Sequence, residues 1–253
     1  MKAYILKGFG IECEQEVARA LRACEVFESV EFFELPKYIA SLEAGPAGAS
    51  YPLPAFQKGD CFVIPGGFSY SDHFGAGKLL AAKFKELKLM EKLGESEVNI
   101  LGICNGFQIM CETGCFGDGV ELHRNIPHGF QNRWVELLSP WGQGSMPVRH
   151  GEGRLVLKNE KLPPQTKKLL KYVDENFENG SFEKTAGLIS FHKSAWRIGM
   201  MPHPEIALSK MDHPDRFGSD HFEQHRAKLF AEAGDGLQLL KNIFTGVTQE
   251  SFL

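Results

Sequence analysis

Residues 97–108 read Glu-Val-Asn-Ile-Leu-Gly-Ile-Cys-Asn-Gly-Phe-Gln, an apolar run that passes through Gly102-Ile103-Cys104-Asn105-Gly106 straight into a helical pattern. Two glycines flanking one residue permit a tight strand-to-helix turn, and such a turn lifts the side chain between them above the sheet edge in a strained backbone. A buried strand feeding a helix in this way is the repeating unit of an α/β fold.

The rest of the first 115 residues agrees. Ala3 to Leu6 is a short apolar run, followed by Gly8, Gly10 and then Cys13, Val17, Ala20, Leu21 and Cys24 at helical spacing. Residues 26–35, rich in Val and Phe, read as a strand, while 43–56 carry so much Gly and Pro that they read as an inserted loop. A strand at Cys61 to Ile64 ends in Pro65-Gly66-Gly67, a helical stretch covers 75–93, and the strand 97–103 ends at Cys104. This alternation predicts a mostly parallel sheet with helices on both faces and sites at the carboxyl ends of its strands. Further on, strands are predicted at 132–138, 153–157, 186–190 and 196–200, and helices at 164–172, 219–233 and 235–244. No repeat or linker divides the chain, so residues 1–253 are expected to form a single domain.

Composition narrows the partners. The formal charge of −4 is spread without long runs of one sign, which gives no footprint for nucleic acid. No stretch resembles a signal sequence or a membrane span, so the expected compartment is the cytoplasm. Six cysteines without a Cys-x-x-Cys pair give neither a disulfide scaffold nor a zinc pattern, and no metal is expected.

Chemistry concentrates on three segments. A thiol at Cys104 faces the first turn of a helix, whose free N–H groups and positive dipole end favour the thiolate. The other cysteines read as packing residues: Cys13 and Cys24 on the apolar face of the first helix, Cys61 within a strand, Cys111 and Cys115 at helical spacing. A thiolate nucleophile needs a histidine as acid and then base, and a carboxylate to orient it. Met201-Pro202-His203-Pro204-Glu205 follows a predicted strand, and its prolines favour an extended backbone in which His203 and Glu205 point the same way. Oxyanion donors are expected from the Asn105 N–H and from the Gly67 or Phe68 amide after the neighbouring strand. His150, in Arg149-His-Gly-Glu-Gly-Arg154, lines a substrate or interface loop or sits in a polar turn. His221 and His225 have metal-like spacing but no third ligand. On local spacing alone, a tight turn around a buried cysteine and a surface histidine between prolines remain open.

Together these pieces resemble the class I, or triad, glutamine amidotransferases, of flavodoxin-like fold. Gly102-Ile-Cys-Asn-Gly-Phe-Gln108, Pro65-Gly-Gly-Phe-Ser-Tyr-Ser-Asp72, His150-Gly-Glu-Gly153 and Met201-Pro-His-Pro-Glu205 look like the signatures of the glutaminase subunits of phosphoribosylformylglycinamidine synthases, and Asn125, Phe130 and Arg133-Trp-Val135 are similar as well. The resemblance implies Cys104 as nucleophile on glutamine, His203 as acid and base, Glu205 as its orienter, and Gln108 and Gly66 at the substrate. It also implies a large synthetase subunit, with a small third subunit as a further partner. That large subunit uses ATP with Mg²⁺, while this chain needs no cofactor; it lacks a phosphate-binding Gly-x-x-x-x-Gly-Lys motif. Ser71 stands where the family usually has glycine, Gly75-Ala-Gly77 where Leu-Arg-Ala-Gly is usual, and Ile206 where arginine follows His-Pro-Glu. Two rival readings keep the scaffold: a stand-alone cysteine hydrolase of the peptidase or γ-glutamyl hydrolase type, and a binding module without activity.

Overall fold

The computed structural model describes residues 1–45, 48, 50–214 and 231–252. Its centre is one nine-stranded sheet in the order β2-β1-β3-β4-β11-β10-β9-β6-β7. The first five are β2 (Ser29–Glu34), β1 (Lys2–Lys7), β3 (Cys61–Ile64), β4 (Asn99–Ile103) and β11 (Ala195–Met200), and each pairs with the next in parallel. β3 is buried along its whole length, as is β4 after Asn99, which is what their unbroken apolar runs require of strands covered on both faces. The remaining four, β10 (Thr185–His192), β9 (Thr166–Tyr172), β6 (Gln131–Ser139) and β7 (Gly142–His150), extend the sheet with antiparallel pairing. The result is an α/β fold whose sheet is mixed, with a parallel half and an antiparallel half. A separate ribbon pairs β5 (Val120–His123) with β8 (Arg154–Leu157).

Two groups of helices cover the sheet. Helices α1 (Glu14–Cys24) and α6 (Asp235–Gly246) pack on one another, while α3 (Lys78–Glu86) packs on both α4 (Leu89–Glu95) and α5 (Asn105–Glu112). α1 fits its site by charge as well as packing. Glu14 and Glu16 occupy its first turn and Arg22 its last, each matching the helix dipole, while Val17, Ala18, Leu21 and Cys24 face inward. No helix among the described residues is long and apolar enough to cross a membrane.

Several expectations change. The segment predicted as a helix at 164–172 is strand β9. Thr166, Leu169 and Leu170 are buried in it, a spacing that imitates a helix. The imitation arises because its pairing with β10 shifts register between Thr185 and Leu188, and the irregularity turns two consecutive leucines inward. The helix predicted over 75–93 is two, broken where Lys88 adopts a left-handed φ of 50°. Helix α2 (Leu35–Ala44), started by Pro36 in its first turn, takes the last residue of the expected strand 26–35, the residues after it and the first two of the expected loop 43–56. The ribbon strand β5 and the long strand β7 had no predicted counterpart. The helix expected over 219–233, with His221 and His225, lies outside the described residues apart from its last positions.

Candidate active site

The parallel half is the frame. Its strand order reverses between β1 and β3, and ligands of such sheets bind outside the carboxyl ends of the strands at that switch. Four loops gather there: Gly8 to Cys13 after β1, Pro65 to Ser69 after β3, Cys104 after β4, and Met201 to Glu205 after β11.

Cys104 is the cap residue between β4 and α5, with φ 50° and ψ −104°. That strained conformation persists because the surrounding structure pins it. The Cys104 N–H donates to Met200 O at 2.7 Å, and its carbonyl accepts the Gln108 N–H at 3.1 Å. The flanking glycines are there for close approach: a Cβ on Gly106 would meet Ile64 O at 1.9 Å, and one on Gly102 would meet Met110 Sδ at 2.5 Å. Cys104 is 5% exposed, and its Sγ lies 3.5 Å from Arg149 O, at the end of β7.

His203 and Glu205 are brought together as a buried pair, but by a 3₁₀ turn over Pro204–Ile206 that His203 caps, since Pro204 starts a turn instead of continuing the extended backbone that was expected. His203 Nδ1 and Glu205 Oε1 are 2.6 Å apart, and the His203 N–H donates to Pro147 O at 2.9 Å, which fixes the loop against β7. Nε2 of His203 makes no hydrogen bond, and the thiols of Cys104 and Cys13 stand beside the ring. Burial pulls the His203 imidazole down. The Glu205 carboxylate and the Cys104 and Cys13 thiols outweigh it and hold the group well above its ordinary value, so the ring is charged at neutral pH. Such a ring has a proton ready to give.

Gly66 forms the floor between these groups. The position a Cβ would take there is 2.9 Å from His203 Cε1, 3.3 Å from Cys13 Sγ and 3.6 Å from Cys104 Cβ. Any larger residue would push into the ring. Gly66 O accepts the N–H groups of Glu12 and Cys13, so its backbone braces the loop after β1.

The oxyanion donors separate. Phe68 N–H is spent on Gly10 O at 2.9 Å, which removes it as a free donor and corrects the expectation for that residue. Gly67, at φ 148°, makes no backbone hydrogen bond with its N–H among the described residues, and Asn105 N–H sits unbonded in the first turn of α5. The side chains of Asn105 and Gln108 serve the scaffold. Asn105 Oδ1 accepts the Ser69 N–H at 3.1 Å, and its Nδ2 donates to Gln108 Oε1 at 2.9 Å. Gln108 Nε2 then donates to Glu152 O at 2.6 Å, tying the elbow helix to the loop after β7. A cavity of about 150 Å³ opens above, walled by Gly67, Phe68, Cys104, Gln108, His150 and Glu152.

Two residues gain importance from the structure. Cys13, expected on the apolar face of α1, instead caps that helix, half-buried and turned to His203. The usable signal was its place just after the Gly8–Gly10 turn at a strand's carboxyl end. His150 is buried at the cavity wall with neither ring nitrogen hydrogen-bonded. Burial, with the His203 charge nearby, pushes its imidazole down to about 3, so it stands neutral. Gly153 makes room for it, since a Cβ there would lie 2.3 Å from the ring. The four other cysteines are buried, and burial raises the thiols of Cys24, Cys61, Cys111 and Cys115.

Residues 1–235 match the family of CobB/CobQ-like glutamine amidotransferase domains, and the chain belongs to the glutamine amidotransferases. Within that class the chain is similar to subunits of phosphoribosylformylglycinamidine synthases. It is 39% identical over 166 residues to the phosphoribosylformylglycinamidine synthase subunit PurQ of Pyrobaculum aerophilum, covering 61% of this chain and 72% of the relative. Against the PurQ subunit of Methanosarcina barkeri it is 30% identical over 271 residues, covering 98% and 99% of the two chains. Among solved structures, the PurLQS structure from Thermotoga maritima has a chain 27% identical with a TM-score of 0.62, covering 83% of this chain and 91% of that one. A glutamine amidotransferase of Thermotoga maritima, 16% identical at a TM-score of 0.51, shares the fold.

Proposed function

We propose that this chain is the glutaminase subunit of a phosphoribosylformylglycinamidine synthase, releasing ammonia from glutamine for de novo purine biosynthesis. The observation that carries the chemistry is a strained cysteine at the end of β4 beside a buried His203–Glu205 pair at the end of the adjacent β11. Cys104 attacks the carboxamide carbon of glutamine as the thiolate. The oxygen that becomes negative faces the Gly67 and Asn105 amides, each such donor being worth roughly 10²- to 10³-fold in rate. His203 gives its proton to the departing nitrogen, and ammonia leaves a thioester on Cys104. The same ring then takes a proton from water, which attacks the thioester and frees glutamate. Glu205 holds the ring in place and stabilises its charged form before the proton is given and after one is taken back.

The ammonia passes to a large synthetase subunit that uses ATP and Mg²⁺, in a complex that includes a small third subunit. The PurLQS assembly that this chain's fold resembles supports that partnership. The setting is the cytoplasm. The test is Cys104→Ala in the complex. Glutamine-dependent synthesis is expected to vanish while synthesis from added ammonium persists; retention of glutamine use would exclude Cys104 as the nucleophile, and loss of both would mean a structural role.

A further inference from the structure

The thiol of Cys13 has no part in the steps above, yet it faces the catalytic ring. Cys13, His203 and Glu205 offer ligand atoms that all lie within 4.8 Å of one another. His203 Nε2 and Glu205 Oε2 are both buried without a hydrogen-bond partner, and His203 is 97% removed from solvent. Cys104 stands against the same ring. Around Gly66, then, the chain gathers two cysteines and an imidazole, with the Glu205 carboxylate on the ring's Nδ1.

We propose that these groups form a zinc site in the mouth of the catalytic apparatus, with the Cys13 thiolate, His203 Nε2 and the Cys104 thiolate as ligands, solvent in the fourth position and Glu205 holding the ring through Nδ1. Thiolate and imidazole are the donors Zn²⁺ prefers, and the ion imposes no directional demand of its own beyond four neighbours. Zinc bonds of about 2.0–2.3 Å put tetrahedral ligand atoms about 3.5 Å apart, so the Cys13 and His203 ligand atoms, now within 4.8 Å, would draw closer on binding. On binding, each thiol that coordinates releases its proton to solvent, and the His203 proton on the ligating nitrogen leaves likewise. The imidazole is held by the Glu205 contact in the manner of carboxylate–histidine–zinc arrangements.

The consequence for activity rests on the glutaminase reading: zinc would occupy nucleophile and base together and stop glutamine from reaching either. Cys13 is what separates this site from a bare cysteine–histidine pair. It adds a second soft ligand from a different loop and lets the site bind zinc tightly without substrate.

The experiment is a competition titration of the full chain with Zn²⁺ against a chromophoric chelator, comparing the wild type with Cys13→Ser. One zinc per chain with affinity at least about tenfold above that of Cys13→Ser is the expected result. Equal affinities for the two chains would overturn the site, whatever other histidines bind. Wild-type alkylation by iodoacetamide, mapped by mass, gives a second measurement independent of how the variant folds. Zinc is expected to slow modification of both Cys13 and Cys104; protection of Cys104 with Cys13 still reactive would refute the role of Cys13. Both measurements omit glutamine, so a failed zinc site leaves the glutaminase reading standing, and a chain that binds zinc yet never hydrolyses glutamine refutes only that reading.

Discussion

His150 supplies a quantitative test of the site's electrostatics. Its imidazole is held neutral in the folded chain at about 3, against about 6.5 for an exposed histidine. A depressed folded value means that the unfolded chain binds the proton first, so stability is complete above about pH 6.5 and falls as the solution is acidified toward 3. The size follows from the two values. At about pH 5 the unfolded histidine is almost fully protonated and the folded one almost not at all, and the linkage comes to roughly 2 kcal/mol relative to about pH 7.5. His150→Gln removes that titration while leaving the other ionisable groups in both chains. Urea unfolding of wild type and variant at the two pH values is therefore read as a difference of differences, in which acid destabilisation common to both cancels. The variant should gain roughly 2 kcal/mol on the wild type upon acidification. A difference that stays flat within about 0.5 kcal/mol would mean that His150 protonates freely in the fold, and the picture of a buried, neutral ring beside a charged His203 would be wrong.

The other consequences are simpler to state. Glu205→Gln removes the partner that keeps His203 charged, so glutamate release should fall by roughly 10²- to 10⁴-fold with the fold intact by circular dichroism; an unchanged rate removes Glu205 from the mechanism. The same pair has a signature in stability. Because His203 is raised, its contribution is full below about pH 6.5 and is lost as pH climbs through the folded value, so the stability gap between wild type and Glu205→Gln should narrow in alkaline urea titrations. Gly106→Ala drives a methyl into the Ile64 carbonyl and should cost more than about 3 kcal/mol, visible as poor soluble yield or a large drop in melting temperature. Ser71 sits at a left-handed φ of 56°, so Ser71→Gly should stabilise by about 0.5–1 kcal/mol in urea unfolding, and a loss would show that its hydroxyl matters more than its backbone.

What the sequence determined by itself is what short-range chemistry encodes. Gly102 and Gly106 around Cys104 permit one turn, two prolines flank His203 and keep it out of an α-helix two residues before Glu205, and apolar runs as continuous as those of β3 and β4 belong in a covered parallel sheet. Those features put Cys104 at a strand end, set His203 near Glu205 and called for the α/β architecture. Other decisions belong to contacts between residues far apart in the chain. Thr166–Tyr172 is a strand because β10 and β6 flank it, and the register shift beside it disguises the alternation that would have revealed it. Phe68 loses its free amide to Gly10, on the loop after β1. Cys13 becomes a neighbour of His203 only because β1 and β11 end at the same edge of the sheet, and His150 becomes a buried, neutral wall of the cavity only when β7 curls back to Cys104. Local pattern reports what a backbone permits, whereas burial, pairing and shared environment are properties of the closed fold, and they set which donors are free and which rings carry charge.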